Sequence, residues 1–257
     1  MRRIYFLVFA AWLGAASLNA QQTAPANNLN IPDGTILPVR LNQSISSKSA
    51  AAGRVLTARI MQDVPLPNDE KIPVGAVVRG AILSVTKASA STRADISFRF
   101  DTLEMRHRTY PITSDLRAIA GFMEVQFAQT PEVSPGYGTP QPWITTQQIG
   151  GDEVYGVGGP VTDRASNHVG TGVYGGVLVH VRAHPERDCR GPLGTDDRLQ
   201  ALWVFSSDAC GVYGIEGLSI AHAGRSKPIG EVTVAASQGE VRLHGATAML
   251  LRVNSER

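Results

Sequence analysis

From Ala94 to Phe100 the chain alternates strictly: Ala94, Ile96, Phe98 and Phe100 are apolar, and Asp95, Ser97 and Arg99 between them are polar. Successive side chains on a β-strand point to opposite faces, so this segment meets water on one side and a core on the other only as a strand. Similar stretches, rich in β-branched or large aliphatic residues, run from Ile36 to Leu41, Val55 to Met61 and Val77 to Val85. More follow at Val177 to Val181, Leu199 to Phe205, Gly230 to Ala236, Glu240 to Leu243 and Ala248 to Val253. Gly, Pro, Asn and Asp punctuate them, and 26 glycines in 257 residues favour short strands joined by tight turns. The expected fold is all-β, a barrel or sandwich of roughly eight to twelve short antiparallel strands. Its last strands are placed to complete the first part's sheet.

Local signals refine this. Pro38 lacks a backbone donor, which puts Ile36 to Leu41 at a sheet edge or makes Pro38 the start of a ladder. Ser44 to Gly53 is small and polar and suits a loop or a single helical turn. Gln238-Gly239 reads as a hairpin turn.

Residues 1–20 carry Arg2 and Arg3 ahead of an apolar run from Ile4 to Leu18, with small residues after it, the pattern of an export signal cleaved after Ala20. The apolar run is short for a bilayer span, which wants about 20 apolar residues, so an uncleaved anchor is the lesser reading. Residues 21–30 are a polar leader, and 31–129 form the barrel-like part. Residues 130–143 hold Pro131, Pro135, Pro140, Pro142, Gly136 and Gly138 and read as a loop or linker. Residues 144–228 are a glycine-rich, disulfide-bearing insertion or second subdomain, and 229–257 are C-terminal strands available to the first part. Without Arg2 and Arg3 the 24 basic residues become 22, equal to the 22 acidic ones. A neutral chain with no Lys/Arg cluster argues against nucleic acid as the main partner. Cys189 and Cys210, the only cysteines of an exported chain, are expected to pair.

The run Gly34-Thr35 through Val39 and Leu41, then Ile45-Ser46-Ser47, Val55, Ala58, Asp63-Val64, Ile72-Pro73-Val74-Gly75, Gly80 and Phe98 to Leu103 resembles a known barrel. It is similar to the C-terminal β-barrel domain of the TrbI-type scaffold protein of conjugative type IV secretion channels. The likeness covers about residues 31–112. It implies a barrel used in envelope architecture and transfers no functional residue. That family's proline-rich N-terminal arm has no counterpart here, and the disulfide-bearing segment has none there.

Candidate chemistry is sparse. His180, His184, Asp188 and Cys189 are the nearest approach to a metal-ligand cluster, but four residues along a strand span about 13 Å. No metal and no cofactor are expected. Ser206-Ser207-Asp208 follows a strand without a nucleophile elbow, and no spacing selects His168 or His222 as its base. Asp152 and Glu153, as sequence neighbours, point to opposite faces and read as a solvated acidic turn. Gly156 to Pro160 lacks the lysine and helix of a phosphate loop. The word Val-Tyr-Gly recurs at Val154-Tyr155-Gly156, Val173-Tyr174-Gly175 and Val212-Tyr213-Gly214. Each tyrosine reads as a strand-end anchor beside a turn glycine, or the three line one surface. The leading expectation is a non-enzymatic scaffold or docking module of the cell envelope, periplasmic, outer-envelope or extracellular. Its partners would be other envelope proteins or a cell-surface polymer. Membrane contact is expected only through the signal segment unless the barrel docks in a membrane complex. The alternatives are a glycan- or peptide-binding module with Trp143, Tyr155, Tyr174 and Tyr213 as ligand-facing platforms, and a secreted hydrolase.

Overall fold

A computed structural model describes residues 29–133, 144–192, 197–221 and 224–254. Labels run in chain order. Ten strands form the first sheet: β1 (Ile36–Leu41), β3 (Val55–Ile60), β6 (Val77–Thr86), β7 (Asp95–Met105), β8 (Arg108–Pro111), β9 (Ser114–Ala120), β17 (Gly211–Tyr213), β18 (Leu218–Ala221), β19 (Val232–Ala236) and β21 (Ala248–Val253). Seven form the second: β10 (Glu132–Val133), β11 (Ile144–Gln147), β12 (Glu153–Val154), β13 (Pro160–Thr162), β14 (His168–Val173), β15 (Gly176–His180) and β16 (Leu199–Ala201). Two ribbons pair β2 (Ile45–Ser46) with β20 (Arg242–Leu243) and β4 (Val64–Pro65) with β5 (Lys71–Ile72). The described helix is α1 (Phe122–Ala128). The fold is all-β as expected, with more strands than the sequence pattern suggested.

The first sheet runs β17-β9-β21-β1-β3-β6-β7-β19-β18, with β8 on β7, and curls into a nearly closed barrel. Its interior holds Leu37, Val39, Ile60, Val78, Ile96, Phe98, Leu103, Met249 and Leu251, all fully buried. Phe98 and Phe100 pack edge to face with ring centroids 5.8 Å apart. Burying one such side chain contributes about 1.5–3 kcal/mol. The alternation read at Ala94 to Phe100 is the inward face of β7.

β1 is neither an edge strand nor weakened by its proline. It pairs with β21 from Ile36 to Arg40 and with β3 from Val39 to Leu41. Pro38 precedes the β3 ladder and only accepts there, from the Met61 amide at 3.0 Å. The turn at Gln238-Gly239 exists, with Gly239 at φ 66°, but its flanking strands do not form a hairpin: β19 pairs with β7 and β18, and β20 with β2. The expected strand from Leu199 to Phe205 stops at Ala201, because Trp203 takes φ 54° and its amide turns to Gln62.

The second sheet is a meander that follows chain order from β10 to β16. It packs on the outer face of β1, β9 and β21, where Ile36, Ala118, Ala120, Ala248 and Leu250 meet Val161, Val177, Val179 and Phe205. Strands β9 and β21 are therefore buried on both faces. Gln62, buried after β3, fastens the joint: its Nε2 donates to the Val177 carbonyl at 2.7 Å, and its Oε1 accepts from the amides of Val177 at 3.3 Å and Trp203 at 2.7 Å. The Ile36 amide donates to Gln200 Oε1 at 3.1 Å.

Candidate functional site

The ends of the barrel sheet, β17 and β18, are consecutive in the chain and joined by residues 214–217, yet share no ladder. Among the described residues each has one ladder partner, β17 parallel to β9 and β18 antiparallel to β19. Two cavities that share Leu218 lie along this seam and its connecting turn. One, of about 690 Å³, lies against α1 and the turn, with Phe122, Met123, Ile215 and His244 in its wall. The other, of about 500 Å³, lies against the disulfide and is rich in arginine.

That second cavity is built by a β-bulge. Along β21, Leu250 pairs with Ala118 and Leu251 with Leu116, so Arg117 is the extra residue of β9. A bulge re-aims its side chain. Arg117 is 5% exposed, and its guanidinium gathers three carbonyls: Nε donates to Ala209 at 2.9 Å, Nη1 to Arg190 at 2.5 Å and Nη2 to Arg182 at 2.6 Å. These segments flank the disulfide Cys189–Cys210, whose Cα atoms are 6.1 Å apart. Such bonds persist in oxidising compartments and indicate a location outside the cytoplasm.

Four further arginines line the cavity. Arg252 is buried and donates to the Arg190 carbonyl at 3.1 Å. Arg225 holds the Asp188 carboxylate at 2.7 Å. Arg187 donates to the Cys210 carbonyl at 2.9 Å and lies over the Tyr213 ring at 5.6 Å. Arg190 is exposed at the mouth. Two carboxylates, Asp115 and Asp188, stand against these five guanidinium groups. Burial, with Arg252 next, pulls the Arg117 guanidinium down to about 10. Burial also pushes the Asp115 carboxyl up, against Asn254 and the arginines, and Asp115 Oδ1 is buried without a hydrogen-bond partner among the described residues. Leu116, Val212, Leu218 and Ile220 complete the wall with apolar surface.

The residues singled out from sequence are dispersed. Trp143 and His222 lie outside the described residues, as does the export signal. Tyr155 donates to Glu153 Oε2 at 2.9 Å, and Tyr174 is 93% exposed at the β14–β15 turn. Tyr213 belongs to the barrel, where its hydroxyl accepts the Cys210 amide at 3.0 Å, and it lines a cavity with Phe127 and Ile149 in which neither of the other tyrosines takes part. All three Val-Tyr-Gly glycines adopt positive φ, of 74°, 83° and 61°, at strand ends.

Asp152 is not a solvated turn residue: it is 2% exposed and accepts the Ser207 amide at 2.7 Å, while Glu153 faces solvent. Burial raises the Asp152 carboxyl, opposed by Ser207. Ser206 donates to Asp208 at 2.9 Å. His180 Nδ1 bonds the Asp197 carbonyl at 2.8 Å, and His184 closes a backbone bridge with Cys189. Among the described residues no group of three His, Cys, Asp or Glu could hold a metal ion. The amides of Gly158 and Gly159 are spent on Gly172 and Gly156 carbonyls, which leaves no phosphate cradle there. No helix among the described residues is long and apolar enough to cross a membrane.

Sequence reasoning missed Arg117, Arg252 and Gln62. The first two carried a signal: each is a lone arginine inside an apolar run, Leu116-Arg117-Ala118-Ile119 and Leu250-Leu251-Arg252-Val253. A charge in such a place needs a dedicated partner. No known family, curated protein or solved structure matches this chain.

Proposed function

We propose that this chain is a non-enzymatic docking module of the cell envelope, exported to the periplasm, outer envelope or cell exterior, and that the seam between β17 and β18 is its docking site. The observation that carries this is a barrel sheet whose two end strands approach each other without a shared ladder, beside an arginine-lined cavity walled by both. Unpaired strand edges are templates for pairing with another chain, and natural proteins cover them unless a partner does. The likeness of residues 31–112 to the TrbI-type scaffold barrel supports the envelope reading, and so does the disulfide. The groups a hydrolase would need are tied into the fold: Ser206 to Asp208, and Asp152 to Ser207.

Photo-crosslinkers placed at Ser219, on β18 in the seam, and at Tyr174, on the meander, test this in native envelopes. The expected result is an adduct from position 219 that untagged chain competes away, and none from position 174. Labelling from 174 alone would move the site to the tyrosine-bearing sheet and favour a glycan platform. Equal labelling at both, or none, would remove the seam as a docking site. Turnover of an ester, amide or glycoside that Ser206→Ala abolishes would overturn the non-enzymatic reading.

A further inference from the structure

We propose that the barrel docks on an anionic phospholipid surface through the basic patch where the turn before β6 meets the β7–β8 turn, with lipid phosphate groups held by its arginines. Arg40 of β1 stands directly opposite Arg59 of β3, Arg59 opposite Val77 of β6, and Val77 opposite Glu104 of β7. Residues paired in this way share a face, so the row crosses the outer surface of four neighbouring strands. Beside it a cavity of about 520 Å³ opens between residues 73–77 and the β7–β8 turn, with Arg106, His107 and Arg108 in its wall. Arg59 reaches toward that wall, its Nη1 3.9 Å from where a Cβ on Gly75 would stand.

These guanidinium groups, unlike those around the disulfide, are free to receive a ligand. Arg40, Arg59, Arg106 and Arg108 are exposed, and among the described residues none of them makes an ion pair or a side-chain hydrogen bond. Glu104, the carboxylate in the row, is already neutralised by Arg79. Two costs attend the arrangement. Like charges directly opposite across a ladder destabilise a sheet, and Arg40 with Arg59 is such a pair. Arg106 and His107 take φ 49° and 62°, the left-handed conformation for which a two-residue hairpin turn prefers Asn-Gly, and larger side chains are strained there. No ion pair or side-chain hydrogen bond among the described residues offsets either cost. A phosphate surface offsets both, because guanidinium groups bind phosphate oxygens by charge-assisted, often bidentate, hydrogen bonds.

Two observations select a bilayer over a soluble polyanion. Val74, in the turn between Pro73 and Gly75, is 58% exposed and lines the same cavity as the basic residues. An apolar tip flanked by cations fits the boundary between headgroups and acyl chains, whereas a polymer in water leaves it unused. Charge is also segregated along the chain: residues 31–129 carry 12 basic and 9 acidic side chains, and residues 130–257 carry 10 and 13. That imbalance favours approach of the barrel's arginine face to a negative surface. None of these residues lines a seam cavity, so this contact stands apart from the docking reading above.

Co-sedimentation of the purified full chain with vesicles tests this, pure phosphatidylcholine against a three-to-one mixture of phosphatidylcholine and phosphatidylglycerol. At low ionic strength the mixed vesicles are expected to bind about tenfold or more tighter, and added salt should erase the preference. Arg40→Gln/Arg59→Gln should weaken that binding by about tenfold or more, at about fivefold per arginine, with a thermal melt unchanged or raised. Arg106→Asn/His107→Gly gives the turn its preferred pair, so the melt should rise while binding falls about fivefold. A merely structural role for these residues would lower the melt instead. Every variant keeps the same N-terminus, so attachment through residues 1–20 is common to all and cancels in the comparison. Val74→Asp should weaken vesicle binding and leave binding of soluble polyphosphate untouched. Equal binding to the two kinds of vesicle, or binding that survives both arginine variants, overturns the proposal. Polyphosphate bound as tightly as mixed vesicles, with no effect of Val74→Asp on either, overturns the lipid assignment in favour of a soluble polyanion.

Discussion

The ten-stranded sheet joins strands from opposite ends of the chain, with Ile36 facing Arg252, whereas the seven-stranded sheet pairs each strand with its successor. The barrel encloses an interior of its own, lined by residues such as Phe98, Ile96 and Leu251. Among the described residues the meander has no second layer beyond what the barrel lends it, the outer face of β1, β9 and β21. Long-range pairing costs loop-closure entropy before it is rewarded, so the structure with non-local contacts needs the deeper core. A sheet of successive hairpins forms its ladders cheaply but has to borrow a face to bury. The meander is therefore the dependent partner, and the joint through Gln62 and Arg117 is what it depends on.

That asymmetry can be broken at the barrel. Phe98→Ala removes a fully buried ring from the interior and is expected to cost about 4 kcal/mol in urea unfolding, with both sheets lost in one transition. If the meander kept its hydrogen-exchange protection while the barrel opened, its dependence would be refuted. Next in size is Cys189→Ser/Cys210→Ser. Freeing a loop between residues separated by 21 positions should cost roughly 3 kcal/mol in the chain-entropy model. Exchange should rise first around 182–190 and β17, because Arg117 then has to hold the carbonyls of Arg182 and Arg190 alone. Uniform exchange across the barrel would show that the bond supports more than the seam.

Gln62→Ala sharpens the comparison. It leaves the Val177 amide and carbonyl and the Trp203 amide without their partner, at an expected cost of about 2 kcal/mol once water enters the space. Exchange should accelerate in β15 and around Trp203 while β7 stays protected. Equal acceleration in β7 would mean that the two sheets unfold as one and that no separable joint exists.

How much of this was legible from residues follows from the same division. The strands Ile36–Leu41 and Ala248–Val253 were readable to the residue, and the strand around Phe98 announced itself by alternation, because apolar composition or one wet face marks them. Strand β9 gave no such sign. Leu116 and Ile119 face the barrel, Ala118 and Ala120 face the meander, and Arg117 interrupts them at a bulge, so periodicity fails where both faces are dry. The strand expected at Leu199 to Phe205 was overextended because apolar residues there pack as an irregular segment turned by Trp203. The cysteine pair could be inferred from number and compartment. The seam could not, since it depends on which strands end the sheet, and that order is set by pairings between residues far apart in sequence.

The smallest expected effect concerns charge at the joint. Asp152, between meander and disulfide segment, and Asp115, on β9, both have carboxyls raised above 3.8, chiefly by burial. A raised folded pKa means that the folded state binds more protons than the unfolded one through the window above 3.8. The penalty is absent below 3.8 and grows as pH climbs through that window to the raised values, so these two groups favour mildly acidic conditions. Asp163, held down to about 2 by Asn167, works the other way, as do Asp63, through Lys71, and Glu240, through Ser46. Their contribution is present above the unfolded carboxylate range and is lost as pH falls through their lowered values. Asp152→Asn keeps an oxygen for the Ser207 amide and removes the buried charge. Its melting temperature should rise slightly at neutral pH, by an amount within about 1 kcal/mol of stability, and depend less on pH between neutrality and the acidic range. Asp63→Asn should do the reverse, losing stability at neutral pH and little in acid. If Asp152→Asn instead lowers the melting temperature at neutral pH, the carboxylate stabilises the joint, and the meander is fastened to the barrel by charge as well as by packing.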